Sequence, residues 1–589
     1  MAASGEFPRS DGLAMVPKGN FKMKKLLVVG LGVFAVSAAL SGLGGTDGRI
    51  ARVGLMTDTH VETTLASCAK VRAALELFKA QGAELVVNCG DIANRHCPEG
   101  YRLYRRTVNE VYPDPATRPQ ELFVYAAHDV NSYKPGSNWD MGWAADAFRD
   151  VHRFLEAPNG HTSELTFKGL KFLTFPQTVG QKGFPSWPDY EAAVARACAA
   201  NPGKPVFVLD HVPPAGTTFH SRQWGSDRSR RILEKYPQVV SISGHVHGSL
   251  VCERQIWQGA FTAVNVGCLN TWGGFASGST PPPQAKENFG VLVMDVYADR
   301  LVFRRHDIRD RSECAAPWIV PLPFVAKTAP YRPEAAATRH VRAAFAAGAA
   351  VTVTPDGDGY RVDFPEAREG ADAFMYRLAC ERRTAQGWTA FSRDDIFGDF
   401  WKAAKDRTGR MSYRLDRAFF TAGETYRLTV TPLDWFYRPT ASIAATFAAT
   451  VGQDAAVWTC AEPMKTLRFT EYGQPVPATS AGVFAPPSGQ GTLRLPEHVF
   501  KPLRPGTTHR LVIDLDAVQP DGDWCAWRAR LQVRGGAVLA EVQTSPGRPG
   551  VLRYVFRFAV PKDGLDTCDV TFNYVSPGAT LRVAGIVLL

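Results

Sequence analysis

Five short apolar runs between Ile50 and Asp310 each stop at a histidine or an aspartate, and helical stretches separate them. They read "IARVGLMTD" (Ile50–Asp58), "AELVVNCGD" (Ala83–Asp91), "ELFVYAAHD" (Glu121–Asp129), "KPVFVLDH" (Lys204–His211) and "QVVSISGHVH" (Gln238–His247). After the first run, Cys68, Val71, Leu75 and Phe78 recur at helical spacing, and Gly82 supplies a stop. "FGVLVMDVYADRLVFRRHDI" (Phe289–Ile308) predicts a closing hairpin around Ala298-Asp299. Strands alternating with helices predict a layered α/β domain over residues 50–310.

In α/β sheets, residues far apart in sequence meet at the carboxyl ends of strands. Asp58, His60, Asp91, His128, His211, His245 and His247 all fall at such ends. If the chain stays extended there, positions i and i+2 share a side, so Asp58 faces with His60 and His245 with His247. Imidazole and carboxylate suit divalent zinc, iron or manganese. Singly these motifs say little, because a lone His211 reads as a core histidine and a "GD" as a turn. Their conjunction decides, because five of the 13 histidines lie on strand ends of one domain.

The blocks "DTH", "GDIAN", "AAHD", "DH" and "GHVH" follow an order that resembles the calcineurin-like metallophosphoesterases. The resemblance implies a β-sandwich flanked by helices. It also implies two divalent ions (manganese, zinc or iron) bridged by Asp91. Asp58, His60 and His247 would complete the first site, and His211 and His245 would serve the second. His128 matches the family's catalytic histidine, a proton donor to the leaving oxygen, and Asn94 matches the residue that orients it. Purple acid phosphatases place a metal-binding tyrosine in the Asn94 slot, which argues against an iron(III)-tyrosinate centre. Two ions roughly 3.5–4 Å apart clamp a phosphoryl group and activate a water as hydroxide for in-line attack. The departure is Ala127, where the family has an asparagine that ligates the second metal. A methyl group coordinates nothing, so that site is expected to be under-coordinated unless Asn131 or a water fills in.

Beyond residue 310 the pattern changes. "APWIVPLPFVAKTAPYRP" reads as a proline-rich linker over 311–334. Period-two runs such as "ETYRLTV" and "LRYVFRFAV" then predict two antiparallel β-sandwiches. The first, 335–450, resembles a fibronectin type III domain. The second, 455–589, resembles a carbohydrate-binding jelly roll, which implies glycan or cell-envelope contact. Trp524 and Trp527 read equally as sugar platforms or core.

At the other end, Lys24 and Lys25 precede an apolar stretch, Leu26–Leu40, that is short for a membrane span. Residues 1–45 therefore read as a leader and signal peptide starting at Met23, and the mature chain is expected in the periplasm, secreted or at the cell surface, without a transmembrane span. Export permits disulfides, but the 11 cysteines form no CxxC pair, and Cys89 and Cys268 read as core. The net charge of +10 is mild for this length. No dense basic run lies near the motifs, which weighs against nucleic acid as partner. His220 and Arg222 read as a solvated loop ahead of a substrate contact, and His96 and His161, which belong to no motif, read as surface.

The expectation is an exported metal-dependent phosphoesterase acting on a phosphomonoester or phosphodiester, with its chemistry before residue 310. The rivals are a metal- or phospho-ligand-binding protein without turnover, and a nuclease.

Overall fold

The computed structural model describes residues 48–94, 97–130, 153–155, 162–180, 185–270, 289–335, 342–402, 406–450, 452, 456, 458–460, 468–471, 474–476, 478–480, 483–484, 490–518, 527–544, 551–573 and 580–589. The signal-like segment, His96, Asn131, His161 and Trp524 lie outside the described residues.

The first domain is built from β1 (Ala51–Met56), β2 (Leu85–Asn88), β3 (Gln120–Phe123), β4 (Ser163–Phe167), β5 (Leu170–Phe175), β6 (Val206–Asp210), β7 (Val239–Ser243), β8 (Ile256–Gln258), β9 (Thr262–Asn265), β10 (Gly290–Val296), β11 (Arg300–Asp307) and β12 (Ser312–Pro321). One sheet has the order β12-β11-β10-β1-β2-β3 and the other β4-β5-β6-β7-β9-β8. β1, β2 and β3 are parallel, as are β5, β6, β7 and β9, so their carboxyl ends form one rim in each sheet.

The two sheets pack face to face. Val53, Leu55, Val87 and Leu122 meet Phe172, Phe207, Leu209 and Ile242 in a shared core. Each such side chain contributes roughly 1.5–3 kcal/mol on burial. On the outer face of the first sheet, the helix Ala69–Gln81 buries Val71, Ala74, Leu75 and Phe78. It lies close because β1 offers Gly54 beneath it, where a Cβ would stand 2.6 Å from the Phe78 ring. Gly82, left-handed at φ 70°, ends the helix as its position predicts. The helix Trp187–Ala200 covers the other sheet with Tyr190, Val194 and Ala197, and a Ser186–Asp189 capping box starts it. The domain is therefore the predicted β-sandwich flanked by helices.

The proline-rich stretch is more than a linker. Ser312–Pro321 pairs with β11 as the edge strand β12 and buries Trp318 and Val320 in the central core. Proline is tolerated there because an edge strand has unpaired N–H positions to spare, and the ladder is irregular between Phe303 and Arg305, opposite Pro317.

Both later sandwiches are antiparallel. Strands Thr352–Asp356, Gly359–Pro365 and Arg410–Asp416 face Met375–Thr384, Gly387–Phe397, Thr425–Leu433 and Ile443–Ala448. In the last domain, Leu511, Ile513, Tyr554, Phe556 and Ile586 oppose Leu493, Leu531, Val570 and Phe572. These are the alternate positions the period-two runs mark. Among the described residues, no helix is long and apolar enough to cross a membrane, and none of the nine described cysteines is in a disulfide.

Trp318 is 1% exposed, and its indole N–H donates to Glu253 at 3.2 Å beneath the Arg305 guanidinium. Trp318→Ala should lower the unfolding free energy by about 3–5 kcal/mol, the usual cost of a buried tryptophan. A denaturant midpoint unchanged from the parent chain would show that β12 is dispensable.

Candidate metal centre

The rims of the two sheets bring the strand-end residues together. Asp58 follows β1, Asp91 follows β2, His211 follows β6, and His245 and His247 follow β7. His211 Nε2 lies 3.1 Å from Asp91 Oδ2 and 3.8 Å from Asp58 Oδ1. His247 Nε2 is 2.9 Å from Asp58 Oδ1. His60 Nε2 stands 3.8 Å from Asp58 Oδ1 and 3.7 Å from Asp91 Oδ2. Among the described residues, donor atoms within 4.8 Å of one another form three groups: Asp58 with Asp91 and His211, His60 with Asp91 and His128, and Asp58 with His247 and Cys268. His245 enters none of them, and its ring sits 5.1 Å from that of His211.

The chain is not extended where these residues sit. Asp58, His60, Asp91, His245 and His247 all have positive φ, between 40° and 71°. Each such residue costs of order 1–3 kcal/mol and persists only where its surroundings impose it. Cross-links between loops do so here. Asp58 N–H donates to Gly90 O, His60 N–H to Asp91 O, and His245 N–H to Asp58 Oδ2. The left-handed turns, rather than strand alternation, aim both members of each pair at one place. Two glycines allow the loops to close. A Cβ on Gly244 would stand 2.6 Å from Asp58 Oδ2, and one on Gly90 2.8 Å from His211 Nδ1.

Electrostatics fits a cation. Burial opposes charge on Asp58, yet His247 and His211 hold its carboxyl well below the usual range. Asp91 is lowered in the same way, burial being outweighed by His211 and His60. Reciprocally, His211 is pushed up to about 9 against burial by Asp91 and Asp58. His245 goes the other way, down to about 4, through burial and the charge of His211. Two buried carboxylates thus hold protons on neighbouring imidazoles, the role a divalent ion takes over when bound. Asp58 Oδ1, His60 Nε2 and His211 Nε2 are buried and, among the described residues, have no hydrogen-bond partner outside this group of carboxylates and imidazoles. Oxygen and nitrogen atoms 3–4 Å apart that lack other partners match ligands about 2.0–2.2 Å from a shared ion. The donors fit divalent metal.

His128 faces His60, ring centroids 4.5 Å apart. Its Nδ1 is 3.0 Å from Asn94 Oδ1, and Asn94 Nδ2 donates to Glu62 at 3.1 Å. That chain fixes the tautomer, with Nδ1 carrying the hydrogen that Asn94 Oδ1 accepts. Asp129, next to it, is a structural knot. Its Oδ1 accepts from the Ile92 and Ala93 N–H groups and from Tyr101 Oη, and its Oδ2 accepts from the Ala126 N–H. Burial and the neighbouring Asp91 push its carboxyl up to about 7, against the pull of those N–H donors. Ala127 N–H donates to Gln177 Oε1 at 2.8 Å, which sets an amide oxygen beside the position without a ligand.

Three residues escaped the sequence reading. Gln177 belongs to no motif. Cys268 read as core but stands at the metal group. His220 read as solvated but is 5% exposed, with φ 64°. It starts the short helix Ser221–Trp224, whose Trp224 ring lies 6.1 Å from His245, while Arg222 is exposed as expected. Phe219, just before it, inserts into the first sandwich, 6.0 Å from both Phe374 and Trp435, in a cluster with Cys252 and Leu433.

Residues 51–249 match the family model described as calcineurin-like phosphoesterase. The N-terminal domain is calcineurin-like. The match spans about a third of the chain. A dimetal phosphatase from Danio rerio is similar at 11% identity, covering 46% of this chain and 98% of that one, with a TM-score of 0.28. A purple acid phosphatase from yellow lupin (Lupinus luteus) seeds shows 13% identity over 46% of this chain and 53% of its own, with a TM-score of 0.34. A carbohydrate-binding module of the β-sandwich superfamily shows 14% identity over 41% of this chain and 97% of its own, with a TM-score of 0.14. No curated protein matches.

Asp129→Ala would strand the three buried N–H groups of Ile92, Ala93 and Ala126, at about 1–3 kcal/mol for each group left unsatisfied, while the Tyr101 hydroxyl keeps its 2.8 Å bond to the carbonyl of residue 129. The variant should lose several kcal/mol of stability and bind divalent metal more weakly, read by denaturation and metal titration. Parent-like values in both would remove the knot from the account.

Proposed function

We propose that residues 50–310 form an exported, metal-dependent phosphoesterase acting on a phosphomonoester or phosphodiester. The observation that carries this reading is the convergence of Asp58, His60, Asp91, His211 and His247, in which the buried Asp58 Oδ1, His60 Nε2 and His211 Nε2 have as polar partners, among the described residues, only one another and the neighbouring carboxylates and imidazoles of the group within 4 Å. Asp58, His60, Asp91 and His247 would hold the first ion, and Asp91, His211 and His245 the second. Divalent ions bound there would supply charge neutralisation at the phosphoryl oxygens and a more acidic water.

The chain's own residues do the rest. Asn94, anchored by Glu62, fixes the His128 ring through Nδ1, so that Nε2 is the nitrogen that would hold a proton for the leaving oxygen. Burial lowers the proton affinity of His128, and Asp91 raises it. An anionic phosphate bound beside it would raise it further. The sandwiches are proposed to contact glycan or cell envelope. Export is supported by Lys24 and Lys25 before the apolar stretch Leu26–Leu40.

The test is hydrolysis of an aryl phosphate and a bis-aryl phosphodiester with added manganese or zinc. Asp91→Asn should abolish turnover and metal retention while the sandwiches stay folded. Full metal content in that variant would overturn the assignment. Cleavage of DNA with inertness toward both esters would favour the nuclease.

Ala127 favours a second reading, a binding protein without turnover. Losing a ligand oxygen should weaken the second ion by at least the 10–100-fold typical of outer partners. Ala127→Asn should then bring metal content toward a second ion per chain and reduce the need for added metal in the assay. Two tightly held ions in the parent chain would refute under-coordination and point to Gln177 as the replacement.

A further inference from the structure

We propose that the Cys268 sulfur is a ligand of the first metal position, making it a mixed nitrogen, oxygen and sulfur site that selects zinc over manganese and magnesium. The inference rests on the phosphoesterase reading above and adds a residue to it.

Cys268 follows β9, the strand beside β7, so its loop reaches the rim where His247 stands. Its Sγ, a carboxylate oxygen of Asp58 and a ring nitrogen of His247 all lie within 4.8 Å of one another. Cys268 and Asp58 are both fully buried. Asp58 Oδ1, at this corner, lies 2.9 Å from His247 Nε2 and, among the described residues, is bonded by no backbone N–H. A buried carboxylate oxygen, an imidazole nitrogen and a sulfur within 4.8 Å of one another mark a place for a cation.

The sulfur is held there by backbone. Asn270 N–H donates to Sγ at 3.0 Å, which engages the sulfur as an acceptor. Leu269 N–H donates to Thr57 O at 3.3 Å, fastening the turn to the residue before Asp58. Gly267, at φ 95°, makes the turn that delivers Cys268 inward.

Core packing does not explain this cysteine. The other eight described cysteines, at positions 68, 89, 97, 198, 252, 314, 380 and 568, each pack in or against an apolar cluster. Cys268 belongs to none. Its sulfur lies beside the Asp58 carboxylate and the His247 imidazole, and its thiol donates to the Asp58 carbonyl at 3.8 Å.

Coordination needs the thiolate. The thiol proton passes to solvent as the sulfur lone pair binds the ion, and nothing is oxidised or reduced. A soft thiolate favours zinc and disfavours magnesium and manganese, whose affinities follow hard oxygen ligands.

The test loads the purified full-length protein with cobalt(II). Visible d–d bands report occupancy, and an intense near-ultraviolet sulfur-to-cobalt charge-transfer band reports a thiolate ligand. The expected parent spectrum has both. Cys268→Ser should keep the d–d bands, lose the charge-transfer band, and reduce the zinc-over-manganese preference by about 10-fold or more, the scale of ligand-environment effects. Cobalt bound with no charge-transfer band in the parent chain overturns the proposal and leaves the metal centre standing. A band that survives in the variant assigns the sulfur elsewhere and also overturns it. A chain that binds no cobalt overturns both the proposal and the reading beneath it.

Discussion

Asp58 and Asp91 lie at the ends of adjacent parallel strands, both buried, both ionised, and close enough to share His60 and His211 as neighbours. Desolvating a carboxylate costs several kcal/mol unless opposite charge compensates. The rim is arranged around that cost. Imidazoles approach from both sheets, the loops adopt strained left-handed turns to place them, and glycines are spaced where any side chain would block the approach. A fold with a single sheet would present such carboxylates from one side only. Two sheets face to face surround them.

The pairing of His128 with Asp129 shows how neighbouring residues divide the work. The histidine points at the centre and is oriented by Asn94 and Glu62. The aspartate points away and gathers the backbone N–H groups of the Asp91 loop and of its own turn. One residue is positioned for a proton and the other holds the two loops in register. The alanines before them are equally constrained. Ala126 packs where Gly90 leaves room, and Ala127 meets Gln177.

Much of this was legible in the sequence. The five strand ends, the helix stop at Gly82, the hairpin after β10 and the period-two faces of the sandwiches are local patterns, and local patterns survive folding. The calcineurin-like order of motifs pointed to Asp58, His60, Asp91, His211 and His247 together. Less visible was whatever depends on backbone handedness or on contacts between distant segments. The extended reading of Asp58 with His60 ignored the turns that place them. Cys268 sits in an apolar run like that of Cys89, and only the folded chain sets one sulfur in the core and the other beside Asp58 and His247. β12 was hidden by prolines that an edge strand tolerates, and His220 by a polar neighbourhood whose apolar anchor, Phe219, finds its partners some 150–215 positions later.

That anchor has a wider consequence. Phe219 stands one residue from His220 and fills a pocket made by Phe374, Trp435 and Leu433, which belong to the following sandwich. The loop beside the metal rim is therefore part of a core that two domains own jointly. Such a boundary is not a seam along which modules are exchanged in evolution. A foreign sandwich grafted at the same point would have to rebuild the socket for Phe219, and the two domains should melt as one cooperative body rather than as beads on a string.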